Sequence, residues 1–168
     1  MKQQLLMDFA VNKENNSIAV RREFNAPLTL VWDAFTKSEI LDQWWAPKPW
    51  KTRTKTMDFR EGGHWHYAMV GPNEEIHWAW LDYKTIQFRK RFTGFDAFAD
   101  GDGNLNRDMP MSTMEVIFAD KGPITLVEFN ISYDDLAQLE TTVAMGFKDG
   151  LTTAMEGLDA LLALSTNA

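Results

Sequence analysis

Residues 134–164, DDLAQLETTVAMGFKDGLTTAMEGLDALLAL, carry a helical period: Leu136, Leu139, Val143, Phe147, Leu151, Ala154, Leu158 and Leu161 fall on one face. A helix this long must lay that face on an apolar surface, and the residues before it supply one. From Trp50 to Tyr133 the chain reads as six strands. Their turn chemistry lies at Glu61-Gly62-Gly63, Gly71-Pro72-Asn73, Asp82-Tyr83-Lys84 and Asp120-Lys121-Gly122-Pro123. The Asp-, Asn- and Gly-rich run from Asp96 to Pro110 reads as an extended surface loop between strands. Strands joined by short turns are antiparallel, and the one long helix is the only element large enough to cover their apolar face.

Upstream, Ser17 to Asn25 alternates Ile18, Val20, Arg22 and Phe24 against Ala19, Arg21, Glu23 and Asn25, the period of a further strand. Pro27 opens a short helix bearing Leu28, Val31, Trp32 and Phe35. Ser38 is read as the cap of a second, with Ile40, Leu41, Trp44 and Trp45, ended by Pro47 and Pro49. The expectation is an α+β domain in the order strand, two helices, six strands, helix. Its seven-stranded antiparallel sheet twists and curves around the long C-terminal helix. Residues 1–16 are expected to be a flexible leader and residues 17–168 a single domain.

Composition narrows the function classes. The formal net charge of −7 disfavours nucleic-acid partners, which require a basic face. Cysteine is absent, so disulfides and thiolate chemistry are excluded. No stretch has the length of a membrane-spanning helix, and the Leu5-Leu6-Met7 run is too short for a signal-peptide core; a cytoplasmic location is expected. His64, His66 and His77 suggest a zinc site only superficially, since the strand pairing keeps His77 away from His64. The run Asp100 to Asp108 lacks the glycine and glutamate of a calcium loop, and no phosphate-cradling or nucleophile-elbow motif occurs. Neither a metal nor a cofactor is expected.

The sharper signal is aromatic. The chain has 7 Trp, 11 Phe and 9 Met, more bulk than one helix readily covers. Pairing the strands about residues 71–74 sets Trp65 opposite Trp80 and Tyr67 opposite Trp78, all on one face, with His64, His66, His77, Ala79 and Leu81 on the other. The same phase turns Phe88, Met114 and Phe129 inward. On the helix, Gly146, Gly150, Ala154 and Gly157 form a stripe of minimal side chains. That stripe either brings the helix close to the sheet or leaves a cavity beside it. The cavity reading places Trp65, Tyr67, Trp78, Trp80, Phe88, Met114, Phe129, Phe147 and Leu151 on the wall and Trp44 and Trp45 at the mouth. Arg22 and Lys90 are the polar candidates, either facing inward or extending to water.

Several segments together resemble a known superfamily. They are Arg22–Pro27 running into Val31–Thr36, Trp44–Pro47, Met57–Tyr67, Met145–Leu151 and Leu158–Leu162. In order and spacing they are similar to the START-like, or SRPBCC, proteins with their helix-grip fold, and within these to the family named for the activator of heat-shock protein 90 ATPase. The resemblance implies a cavity between sheet and last helix, which relatives use for lipids, polyketides or other hydrophobic molecules. It implies no fixed catalytic constellation. The partner expected is therefore a small hydrophobic or aromatic molecule. An enzyme of the cyclase kind using Tyr67, Arg22 or Lys90, or a module that docks on a chaperone, are the alternatives. The eukaryotic activators have a second domain that helps engage the chaperone, and none is expected in this chain. The segment at Glu74-Glu75-Ile76 looks shorter than in relatives, and Trp78 and Trp80 behind it are expected to narrow the cavity.

Overall fold

The computed structural model describes residues 4–166. Eight strands form one antiparallel sheet: β1 (Met7–Asn12), β2 (Ser17–Phe24), β3 (Lys51–Met57), β4 (His64–Val70), β5 (Ile76–Gln87), β6 (Arg91–Ala99), β7 (Ser112–Lys121) and β8 (Ile124–Tyr133). Helices α1 (Leu28–Thr36) and α2 (Ser38–Trp44) follow β2, and α3 (Leu136–Ala144) and α4 (Phe147–Thr166) end the chain. The strand order is β1-β2-β8-β7-β6-β5-β4-β3, so the six-strand meander meets the N-terminal hairpin along β2 and β8.

Four expectations are corrected. The strand count is eight rather than seven, because Met7–Asn12 pairs with β2 from Met7 opposite Arg22 to Asn12 opposite Ser17. Within the leader expected over residues 1–16 there is thus a strand, while residues 1–3 lie outside the described residues. The closing helix is two helices, since Gly146 at φ 84° breaks the hydrogen-bond ladder between α3 and α4. The turn expected at Asp82-Tyr83-Lys84 lies inside β5 as a register shift between Tyr83 and Thr85, and the chain reverses at residues 88–90. The fourth concerns register. Trp65 faces Leu81, His66 faces Trp80, Tyr67 faces Ala79 and Ala68 faces Trp78, because the β4–β5 connection takes residues 71–75, with Glu74 left-handed at φ 65°. A one-residue difference turns every side chain of a strand to the opposite face. Trp78 and Trp80 therefore lie on the outer, convex face with His64 and His66, and His77 lies on the inner one.

The outer face is not bare. Residues 100–106 fold back over it: the Asp100 carbonyl lies 2.9 Å from His66 Nε2, and a Cβ on Gly103 would come within 2.9 Å of the Trp80 ring. The His64 and Trp80 rings stack at 4.1 Å.

The concave face has two unlike halves. At one end α1 drives Trp32 and Phe35 into a packed cluster, with Trp32 4.9 Å from Phe118, Phe35 4.9 Å from Trp44 and Phe59 4.8 Å from Tyr83. Met155 and Leu158 of α4 are fully buried in the same core. Arg22 anchors α4 to β2 through an ion pair with Asp159. At the other end the cover is α3 and the first turns of α4. Asp135 caps α3 by accepting from Gln138 N at 2.9 Å, but Leu136, Val143 and Met145 remain exposed, so that cover is thinner.

Candidate functional site

Under the α3–α4 joint the two surfaces separate and leave a cavity of about 280 Å³. Its sheet side is Tyr67 and Met69 of β4, His77 and Ala79 of β5, Asp96 and Phe98 of β6, Ser112 of β7 and Tyr133 of β8; its helix side is Thr142, Met145, Phe147, Gly150 and Leu151. Trp45 and Pro47 close it from beyond α2. Two features of the chain make this space. Ala79 puts a small side chain in the inward phase between Tyr67 and Phe98, and the joint puts two glycines where a helix would otherwise project bulk. Met69, His77, Phe98 and Met145 also line a wider opening, bounded by Trp50, Ile76 and Met109, that leads to the surface.

The walls are mostly apolar; the polar side chains among them are Tyr67, His77, Thr142 and one row across three strands. Asp96, Ser112 and Tyr133 lie opposite one another across β6, β7 and β8. The Tyr133 hydroxyl lies near the side chains of Thr142 and Ser112, which work against the rise that burial gives it. Tyr67 faces the same space, its Oη accepting from Trp45 Nε1 at 3.1 Å. Burial, followed by the nearby Asp96 carboxyl, holds the Tyr67 hydroxyl well above its ordinary value, so it stays a neutral donor. Burial likewise raises Tyr133. Asp96 makes no ion pair or side-chain hydrogen bond among the described residues, and burial pushes its carboxyl up to about 7. The arrangement offers a guest one titratable carboxyl and phenolic donors in a mostly apolar chamber.

The residues expected from the sequence are distributed as follows. Trp45, Tyr67, Phe147 and Leu151 line the cavity. Trp44, Trp65, Met114 and Phe129 belong to the packed core beside it, each no more than 7% exposed. Trp44 is therefore no gate: it is buried, donating from Nε1 to the Ala34 carbonyl at 2.9 Å. Trp78 and Trp80 are on the convex face and do not narrow the cavity. Phe88 is 69% exposed in the β5–β6 turn, and Lys90 is exposed in the same turn, far along the strands from Asp96. Arg22 is buried but committed to Asp159. Among the described residues no group of His, Cys, Asp or Glu could hold a metal ion.

Sequence reading missed Asp96, His77, Ser112 and Tyr133. Asp96 had a signal: Phe92, Gly94, Asp96 and Phe98 alternate, so the aspartate continues the inward phase of β6 instead of opening the loop. His77 was lost with the register.

A curved antiparallel sheet closed by a C-terminal helix, with two short helices inserted after an N-terminal strand and a chamber between, defines the helix-grip class of α+β proteins. The chain belongs to the family described as Activator of Hsp90 ATPase homolog 1-like protein, whose profile matches residues 25–163. Among solved structures it is similar to a protein from Mycobacterium smegmatis, with 27% identity, a TM-score of 0.86 and coverage of 95% of this chain and 97% of that one. It is also similar to a protein from Arthrobacter aurescens, with 25% identity, a TM-score of 0.87 and coverage of 93% and 91%. The AHSA1 protein of Silicibacter pomeroyi shares the fold, with 17% identity, a TM-score of 0.70 and coverage of 89% and 99%. No functionally curated sequence matches. No helix among the described residues is long and apolar enough to cross a membrane.

Proposed function

We propose that the protein binds one small, largely apolar molecule in the chamber under the α3–α4 joint. The observation that carries this reading is a cavity of about 280 Å³ between the sheet and the closing helices, walled mostly by apolar side chains. The family and its helix-grip scaffold support it. A chamber of about 150 Å³ accepts benzene, so this one suits a guest of roughly one or two rings or a short chain. Burying roughly 300 Å² of apolar guest surface would contribute about 7 kcal/mol before the cost of association. Apolar contact alone therefore gives at best an affinity of about 10 μM, and tighter binding must come from the polar side chains of the wall.

Titration of tryptophan fluorescence with fatty acids, flavonoids and aromatic polyketides tests the reading, because Trp45 stands in the wall. A saturable change is expected from the native chain. It should be lost from Ala79→Phe, which fills the chamber, while circular dichroism stays native. Absence of saturation with every compound, in this panel and in the amine, alcohol and carboxylate series below, sinks the proposal.

A catalytic reading has one observation in its favour. A carboxyl pushed up to about 7 beside phenolic donors suits proton transfer at a carbonyl guest. In that reading Asp96 rather than Arg22 or Lys90 moves the proton. The chaperone activity in the family's name is not carried over to this chain.

A further inference from the structure

The chemistry of the guest can be narrowed further, on the footing that the chamber binds one. Among the described residues Asp96 is the one acidic side chain of the wall, and no lysine or arginine lines it. The other titratable groups facing the space are Tyr67 from β4, His77 from β5 and Tyr133 from β8; α3 and α4 contribute the hydroxyl of Thr142 but no charge. A half-buried carboxylate in a mostly apolar wall without a counter-charge is costly. The cavity wall also carries aromatic rings, whose faces present negative potential that favours a cation over an anion. Trp45, Tyr67, Phe98, Tyr133 and Phe147 are those rings. Among the described residues the wall supplies a carboxyl and aromatic rings but no lysine or arginine.

We propose that the chamber selects small lipophilic amines, whose ammonium group docks on Asp96 between Tyr67 and Tyr133 while the hydrocarbon body lies against Met69, Phe147 and Leu151. A guest with only a carbonyl or hydroxyl is served by the Tyr67 hydroxyl, whose proton no described residue accepts, and has no need of Asp96. A guest bearing a carboxylate sets a second anion against the first and is disfavoured. The raised Asp96 carboxyl accords with a site waiting for a positive partner, whose arrival would draw it back down.

Isothermal titration of 4-phenylbutylamine, 4-phenylbutanol and 4-phenylbutyrate at about pH 8 tests this, since the three share one hydrocarbon body. The native chain should bind the amine about tenfold or more tighter than the alcohol, and the butyrate weakest of all. Asp96→Asn, nearly identical in shape, should erase the amine's advantage and leave the alcohol within about twofold. The net charge of −7 attracts any amine weakly to the surface, so Ala79→Phe is the control: it should abolish the saturable amine signal. Alcohol or butyrate binding as tightly as the amine overturns the amine assignment and leaves the chamber reading standing. So does an amine preference that survives Asp96→Asn, whereas one that survives Ala79→Phe places the amine outside the chamber and overturns the amine assignment. If none of the three compounds saturates, and none of the fluorescence panel does either, both readings fall.

Discussion

Asp96 is the residue on which the site turns, and its cost to the empty protein is measurable. Its carboxyl is raised from 3.8 to about 7 by burial, so the folded state holds a proton that the unfolded state has already released. Below about pH 4 both states are protonated and the group is neutral to stability. As pH rises from about 4 to about 7 the unfolded chain ionises first, and the native state loses ground until the folded carboxyl also ionises; beyond that the deficit is constant. At full value the shift amounts to about 4 kcal/mol, and access of water to the chamber should reduce it to about 2 kcal/mol. Asp96→Asn should therefore match the native chain near pH 4 and exceed it by about that amount near pH 8, in urea denaturation without ligand. A gap that does not widen with pH would show that the carboxyl is solvated. Asp159, also raised by burial, is held beside Arg22, which works in the opposite direction; Asp96 has no such neighbour.

At the scale of elements, two glycines of the closing helices should respond in opposite ways. Gly146 sits at φ 84° in the joint, a conformation costly for any residue with a Cβ, although open space surrounds it. Gly146→Ala should cost about 1–2 kcal/mol by strain alone. It should also loosen α3, the cover of the chamber. Gly157 lies inside α4, and a Cβ there would meet nothing within 4 Å. Gly157→Ala should stabilise by about 0.5–1 kcal/mol through helix propensity. Thermal unfolding of the pair decides it: shifts of the same sign would mean that α3 and α4 are not separated by a left-handed residue. The stripe of small residues read from the sequence thus splits into a joint at Gly146, a chamber wall at Gly150 and a packed contact at Ala154, 3% exposed.

For the whole molecule, the division of the concave face into a packed half and a hollow half separates stability from binding. Phe35 is 3% exposed at the centre of the aromatic cluster, and Phe35→Ala should cost about 3–5 kcal/mol. Phe147, half-buried with one side to the chamber and one to Phe9 at 6.0 Å, has less to lose. Phe147→Ala should cost about 1 kcal/mol and weaken ligand binding in the fluorescence titration. Equal stability losses from the two would mean that the chamber half is packed as tightly as the core.

The sequence by itself determined what is local. The period-two runs of β2 and of β6 to β8, the turns at Gly62-Gly63 and Gly122, the two short helices before Pro47 and the helical period of the last residues are properties of neighbouring side chains. Together they were enough for an α+β sheet-and-helix architecture. What only the tertiary structure decided is how those elements register. Nothing local to Val70–Ile76 says that the reversal takes one more residue than the four at 71–74, yet that residue sends Trp78 and Trp80 outward and His77 inward. Nothing local to Met7–Asn12 announces a strand until β2 offers an edge to pair with. Asp96 reads as the start of an acidic loop until Ser112 and Leu81 take their places on either side of it. Side-chain phase within a strand follows from covalent geometry, whereas the face that meets the core follows from pairing between strands distant in sequence, and that pairing decides where the packed core stops and the hollow begins.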